Sequence, residues 1–186
     1  MNRRLASLPL LAVLAALPAA ANADDLATVR TRVAAAMQAA KSFVVTTTSG
    51  SGTFAIAMTF VAPDRYHSVL VFGGERRDVI LIGQLAYVSA DGKSYRKVDA
   101  PPDVVAAEGN LRSIAVDNVL PDATANGKTW GRFVTTAAGP QKDQRLTCTY
   151  DKTTYRLAEC SNAGLTLAFS RYDDPANAVS APLISR

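Results

Sequence analysis

The chain is poor in the residues that most catalytic and metal sites require. It has one histidine, His67, and two cysteines, Cys148 and Cys160, in 186 residues. One histidine excludes a multi-histidine metal site, and two cysteines that pair leave no thiolate for zinc. Asp64 precedes His67 and Ser68 follows it, but neighbours on a strand point to opposite faces. No acid, base and nucleophile assemble around it, so the expectation is a protein that is not an enzyme, with His67 a surface or strand-end residue. There is no Asp-x-Asp-x-Asp-Gly loop, which removes Asp173-Asp174 as a calcium site. Gly50-Ser51-Gly52 and Gly73-Gly74 precede no helix and no Gly-Lys-Ser/Thr, so they are turn glycines and not a phosphate loop. No cofactor is implied. Lysines and arginines form no block interleaved with aromatics, which argues against nucleic acid. Past residue 17 no apolar run approaches the ~18 residues of a membrane-spanning helix, so stable membrane insertion is not expected.

What is present begins with an export signal. Arg3-Arg4, an apolar stretch from Leu5 to Leu17, and Ala21-Asn22-Ala23 ahead of Asp24 read as a cleaved signal peptide over residues 1–23. No cysteine stands at the cleavage site to carry a lipid, so the expectation is a soluble periplasmic protein. Its working part is a single domain over residues 24–186. Removing Arg3 and Arg4 lowers the formal charge from +4 to +2, so the isoelectric point of 9.2 overstates the basicity.

The two cysteines suit this compartment. Leu146 to Tyr150 and Arg156 to Cys160 read as a hairpin around Asp151-Lys-Thr-Thr154, and folding it about Thr154 sets Cys148 opposite Cys160. A disulfide is therefore expected, worth about 3 kcal/mol for a loop of this size.

Apolar residues at three- and four-residue steps, Leu26, Val29, Val33, Met37 and Ala40, predict a helix over 24–41 with one narrow buried stripe. From Phe43 onward the period changes to two. Strands are predicted at 43–48, 53–62, 65–72, 77–82, 85–89, 95–98, 130–136, 146–150, 156–160 and 165–172, separated by Gly, Pro-Asp and Asp-Gly turns. The tail after Asp173 adds a possible last strand. The segment 103–120 is read as one or two short helices and 121–128 as a polar loop. Val69–Phe72 and Val79–Ile82 are unbroken apolar runs, which predicts cover on both faces or curvature around something apolar. The fold class is α+β: a large curled antiparallel sheet, an unclosed half-barrel, with helices covering the concave face.

Ala62-Pro63-Asp64-Arg65-Tyr66-His67, then Leu81-Ile-Gly-Gln-Leu-Ala-Tyr-Val88 and Tyr95-Arg-Lys-Val98, following a signal peptide and an amphipathic helix, resemble the LolA-like periplasmic lipoprotein-carrier superfamily. Pro63, Arg65 and Tyr66 match a Pro-x-Arg-aromatic strand start, and Gly83 and Tyr87 a Gly-x-x-aromatic strand with slightly different spacing. His67 stands where the family has its next basic position, and Tyr87 where the carrier has tryptophan. The resemblance implies a half-barrel with a helical lid over an apolar cavity that holds acyl chains or another lipophilic ligand. It also implies a lid tether at Arg65. The family includes sensor domains that bind regulators.

The candidate ligand-binding residues are Phe54, Ile56, Met58, Phe60, Leu70, Phe72, Val79, Leu81, Leu165, Leu167 and Phe169, with Arg65 and Met37 as candidate lid contacts. These side chains either line a cavity or form an ordinary core under the helices, and both readings stay open. The alanine-rich helix favours the cavity, because small side chains over a wide sheet fill it poorly. Met58 and Met37 add adaptable surface. The expected partner is a lipophilic ligand or a lipoprotein. The alternative is an envelope interaction or sensor module, built on the same sheet with a packed core.

Overall fold

The computed structural model describes residues 24–100, 112–136 and 144–184. Its one helix, α1, spans Leu26–Ala39. Asp25 caps it: one carboxylate oxygen accepts from Thr28 N at 2.9 Å and the other from Thr28 Oγ1 at 2.6 Å. The strands are β1 (Ser42–Ser49), β2 (Phe54–Val61), β3 (Arg65–Phe72), β4 (Glu75–Ile82), β5 (Leu85–Ser89), β6 (Arg96–Asp99), β7 (Asn118–Ala125), β8 (Lys128–Thr136), β9 (Arg145–Asp151), β10 (Leu157–Ser161) and β11 (Leu165–Ser170).

All eleven form one antiparallel sheet in the order β6-β5-β4-β3-β2-β1-β11-β10-β9-β8-β7. The sheet does not close, because β6 and β7 are its two edges. From β2 to β5, and between β7 and β8, consecutive strands join by tight turns. Gly73 and Gly74 have φ of +56° and +86°, the left-handed pair that a two-residue hairpin loop demands.

Several sequence expectations are corrected here. Eleven strands lie among the described residues, against the ten predicted. One helix lies on the sheet among the described residues, where several were expected. Residues 112–117 carry no helix, and Asn118–Ala125 is β7, not helix followed by polar loop. The register slips between Leu120 and Ala123, which leaves Pro121 outside the ladder, and β7 is an edge strand; both let a proline sit in it. The signal peptide and the first half of the predicted helical segment, residues 103–111, lie outside the described residues.

Helix α1 lays Val29, Val33 and Met37, all fully buried, across the sheet, while Leu26 at the start of the predicted stripe is 36% exposed. The core beneath it includes Phe43, Val45, Met58, Phe60, Leu81, Phe133, Tyr150, Leu157 and Phe169. Phe43 sits among rings, with centroids 5.0 Å from Phe60, 6.2 Å from Phe169 and 5.7 Å from Tyr172. The disulfide joins Cys148 to Cys160 across β9 and β10, with Cα atoms 4.0 Å apart, at the register the hairpin symmetry predicts.

At the N-terminal end of α1, Asp24 Oδ2 accepts from Tyr150 OH at 3.0 Å and from Tyr155 OH at 3.2 Å. Burial and this hydrogen bond push the Tyr150 phenol above its usual range. Tyr155 stacks on Tyr150, and Gly131 of β8 leaves room for the Tyr150 ring.

The C-terminal tail crosses the opposite face. Asp173 N donates to Ser42 O, Asn177 Nδ2 to Ser42 Oγ and Arg65 Nη1 to Val179 O, and Ile184 bridges to Tyr95. Val179 packs with Ile80 and Tyr87 in a second, smaller core that Val61, Ile82, Leu85 and Tyr95 border. This is why β4 reads as an unbroken apolar run. Val79 and Leu81 face the helix side, while Ile80 and Ile82 lie under the tail.

Candidate functional site

Period-2 alternation and the register divide every strand between two faces. The ladders align the helix side of the sheet into rows. Val98, Ala86, Leu81, Tyr66, Phe60 and Phe43 make the first. Arg96, Val88, Val79, Ser68, Met58, Val45 and Phe169 make the second. The third runs Arg77, Leu70, Ile56, Thr47, Leu167, and the fourth Glu75, Phe72, Phe54, Ser49, Leu165.

All eleven candidate ligand residues share this face. Cover divides them. Met58, Phe60, Leu81 and Phe169 are buried in the core. Ile56, Val79 and Leu167 are half-buried at its margin. Phe54, Leu70 and Leu165 are half-buried beyond it, and Phe72 is 63% exposed. Residues expected to act as one set are therefore part core and part uncovered floor.

Two hollows open beside this floor. One, of about 210 Å³, is lined by Leu70, Phe72, Glu75 and Arg77. The other, of about 580 Å³, is lined by Arg77, Val88, Ser89, Ala90, Ser94, Tyr95 and Arg96. Neither Arg77 nor Arg96 is among the residues singled out from sequence. Alternation from Val79 puts Arg77 on the apolar face, and that signal was available.

The two candidate lid contacts separate. Met37 is buried under α1, where Tyr172 OH lies 3.3 Å from its sulfur. Arg65 is on the opposite face, and its partner is the tail carbonyl of Val179 at 3.2 Å, not the helix. The guanidinium that does reach α1 is Arg112. Its Nη2 donates to Gln38 O, and it stands 4.8 Å over the Phe60 ring.

Asp78 is fully buried on the opposite face of β4, an interior strand. Arg76 Nε and Nη2 donate to its two carboxylate oxygens at 2.9 and 3.2 Å, and His67 Nε2 lies 3.4 Å from Oδ1. His67 is thus a half-buried neighbour of a buried carboxylate. Ser68, adjacent in sequence, faces the helix side. No group of three or more His, Cys, Asp or Glu among the described residues is placed to hold a metal ion. Asp173 and Asp174 serve the tail: Asp173 accepts from Lys41 N and pairs with Arg156, and Asp174 accepts from Ala176 N and Arg171.

Fold and floor together define a class: an open eleven-stranded antiparallel sheet with a helix laid on one face and an apolar surface continuing past it. Solved structures with a similar fold include the following two. LprF from Mycobacterium bovis has a TM-score of 0.54 at 12% identity, covering 83% of this chain and 95% of its own. The Mycobacterium tuberculosis lipoprotein LppX has a TM-score of 0.55 at 12% identity, covering 82% of this chain and 97% of its own. The likeness is one of fold, and at that level it meets the LolA-like expectation. No family model matches the chain, and no curated protein matches it in sequence. No helix among the described residues is long and apolar enough to cross a membrane.

Proposed function

We propose that the chain is an exported binding protein that holds a lipophilic ligand against the helix face of the sheet, beyond α1. The observation that carries this reading is the apolar surface running from the core margin at Ile56 and Val79 out to Phe54, Leu70 and Phe72, with Leu167 and Leu165 forming a further strip beyond Thr47 and Ser49. A folded protein rarely leaves such a stretch beside its own core unless something covers it. An acyl chain laid there gains about 0.8 kcal/mol per buried CH₂, so about eight methylenes contribute about 6 kcal/mol. The half-barrel resemblance in the sequence points to the same ligand class.

A specific observation favours a second reading, the envelope interaction module. Val71 and Phe72, 41% and 63% exposed, end β3 beside the hairpin turn, where a protein partner can reach them. Native mass spectrometry of the exported protein, followed by organic extraction and lipid analysis, separates the two. A lipid bound near one per chain supports the ligand carrier. A mass without ligand that stays unchanged after incubation with envelope lipids refutes it, and cross-linking would then seek the partner.

A further inference from the structure

Arginines in this fold are mostly occupied. Arg30 donates to Val116 O, Arg32 to Tyr155 OH and Arg76 to Asp78. Arg77 and Arg96 are different: both are exposed, and neither has a hydrogen-bond or ion-pair partner among the described residues. Arg132 and Arg145 also lack partners, but the register sets them on the opposite face. Arg77 and Arg96 are therefore the unpaired guanidinium groups on the ligand face, and both line the 580 Å³ hollow.

Among the described residues, the hollow's lining supplies no carboxylate to neutralise them. The nearby Asp91 is turned into its own loop, accepting from Ser89 Oγ at 2.7 Å and from Lys93 N and Ser94 N at 2.8 Å. Glu75 lies at the far side of Arg77, in the smaller hollow with Phe72. Between the arginines sits Val88, next to Val79 in the second row, where the apolar floor begins. Two free cations at one end of an apolar track are complementary to an amphiphile, and a guanidinium matches carboxylate or phosphate oxygens in a planar, two-pronged fashion.

We propose that the ligand is an amphiphile with an anionic head, carboxylate or phosphate, seated between Arg77 and Arg96. Its chain runs over Val88 and Val79 toward Leu70. This inference rests on the ligand-binding reading above and narrows it to a charge class.

The test uses the exported chain and three probes: palmitate, monopalmitoylglycerol and inorganic phosphate. The variant is the double substitution Arg77→Gln/Arg96→Gln. Both side chains are exposed and unpartnered, so the variant should fold, and its thermal midpoint checks this. The expected result is at least about tenfold tighter binding of palmitate than of the uncharged lipid, a preference that weakens with salt and is lost in the variant. Equal affinity for both lipids, or a preference that survives the double substitution, overturns the head-group inference and leaves lipid binding standing. Phosphate bound as tightly as palmitate also overturns it, because the site then takes a free anion. Binding of neither lipid overturns the ligand reading and this inference with it.

Discussion

Replacing Gly131 by alanine tests the packing of the wing of the sheet beneath the start of α1. Gly131 pairs with Tyr150 across β8 and β9. A Cβ there would lie 2.0 Å from Tyr150 Cζ, 2.4 Å from its hydroxyl oxygen and 2.5 Å from Cε1. The ring has no slack: Tyr150 is fully buried, 5.4 Å from the Tyr155 ring and 6.1 Å from Phe133, with its hydroxyl donating to Asp24. To restore van der Waals separation the ring must move by about 1.5 Å. That displacement costs about 1–3 kcal/mol of overpacking and about 1.5–3 kcal/mol if the hydrogen bond to the carboxylate breaks. The expected loss is about 3–5 kcal/mol, read from urea unfolding of the oxidised protein. The cause is checked in a Tyr150→Leu background, where the same alanine should cost under about 1 kcal/mol, a coupling of at least about 2 kcal/mol. A loss below about 0.5 kcal/mol for Gly131→Ala alone, or an equal loss in both backgrounds, would refute the reasoning.

Reducing the disulfide, or replacing Cys148 and Cys160 by serine, should cost about 3 kcal/mol for their separation of 12 residues; an unchanged unfolding midpoint would count against it. Arg76→Ala should destabilise more than Asp78→Asn, by chemical denaturation, because Asp78 is fully buried while the Arg76 side chain is 52% exposed. Losing the arginine strands a buried charge, whereas losing the carboxylate leaves a cation in water. Hydrogen bonding from Lys128 holds Asp151 at a pKa of about 2, below the ordinary 3.8. Its stabilising contribution is therefore present above pH 3.8 and lost as pH falls towards about 2, and Asp151→Asn should flatten stability across that window. Phe72→Glu should weaken lipid uptake while leaving the unfolding free energy within about 0.5 kcal/mol of the parent, because Phe72 is 63% exposed.

The architecture was legible where local chemistry is decisive. A two-residue period put Phe54, Ile56, Met58 and Phe60 on one face of their strand, and Leu165, Leu167 and Phe169 on one face of theirs; for Leu70, Phe72, Val79 and Leu81, in unbroken apolar runs, only the register gives the face. Hairpin symmetry about Thr154 paired Cys148 with Cys160, because the two stand equally far along the chain from that residue. Gly131, a glycine in the interior of the mixed polar and apolar strand β8, stands where the Tyr150 ring approaches closely. By contrast, β7 was hidden by Pro121 and its bulge, since a ladder that tolerates proline is defined by its partner strand and not by its own composition.

The sequence by itself determined the alternation, the turns, the helix stripe through Val29, Val33 and Met37, and the disulfide. Each of these depends on residues a few positions apart. Only the tertiary structure decided what covers what. It put the tail over Ile80 and Tyr87, turned Arg65 toward Val179 instead of the helix, and buried Asp78 in the middle of the sheet. It also ended the reach of α1 at Phe60 and Phe169, leaving Leu70 and Phe72 outside. The physical reason is that periodicity specifies which face a side chain occupies, while burial depends on distant segments packing on that face, and their contacts leave no periodic trace in the strand itself.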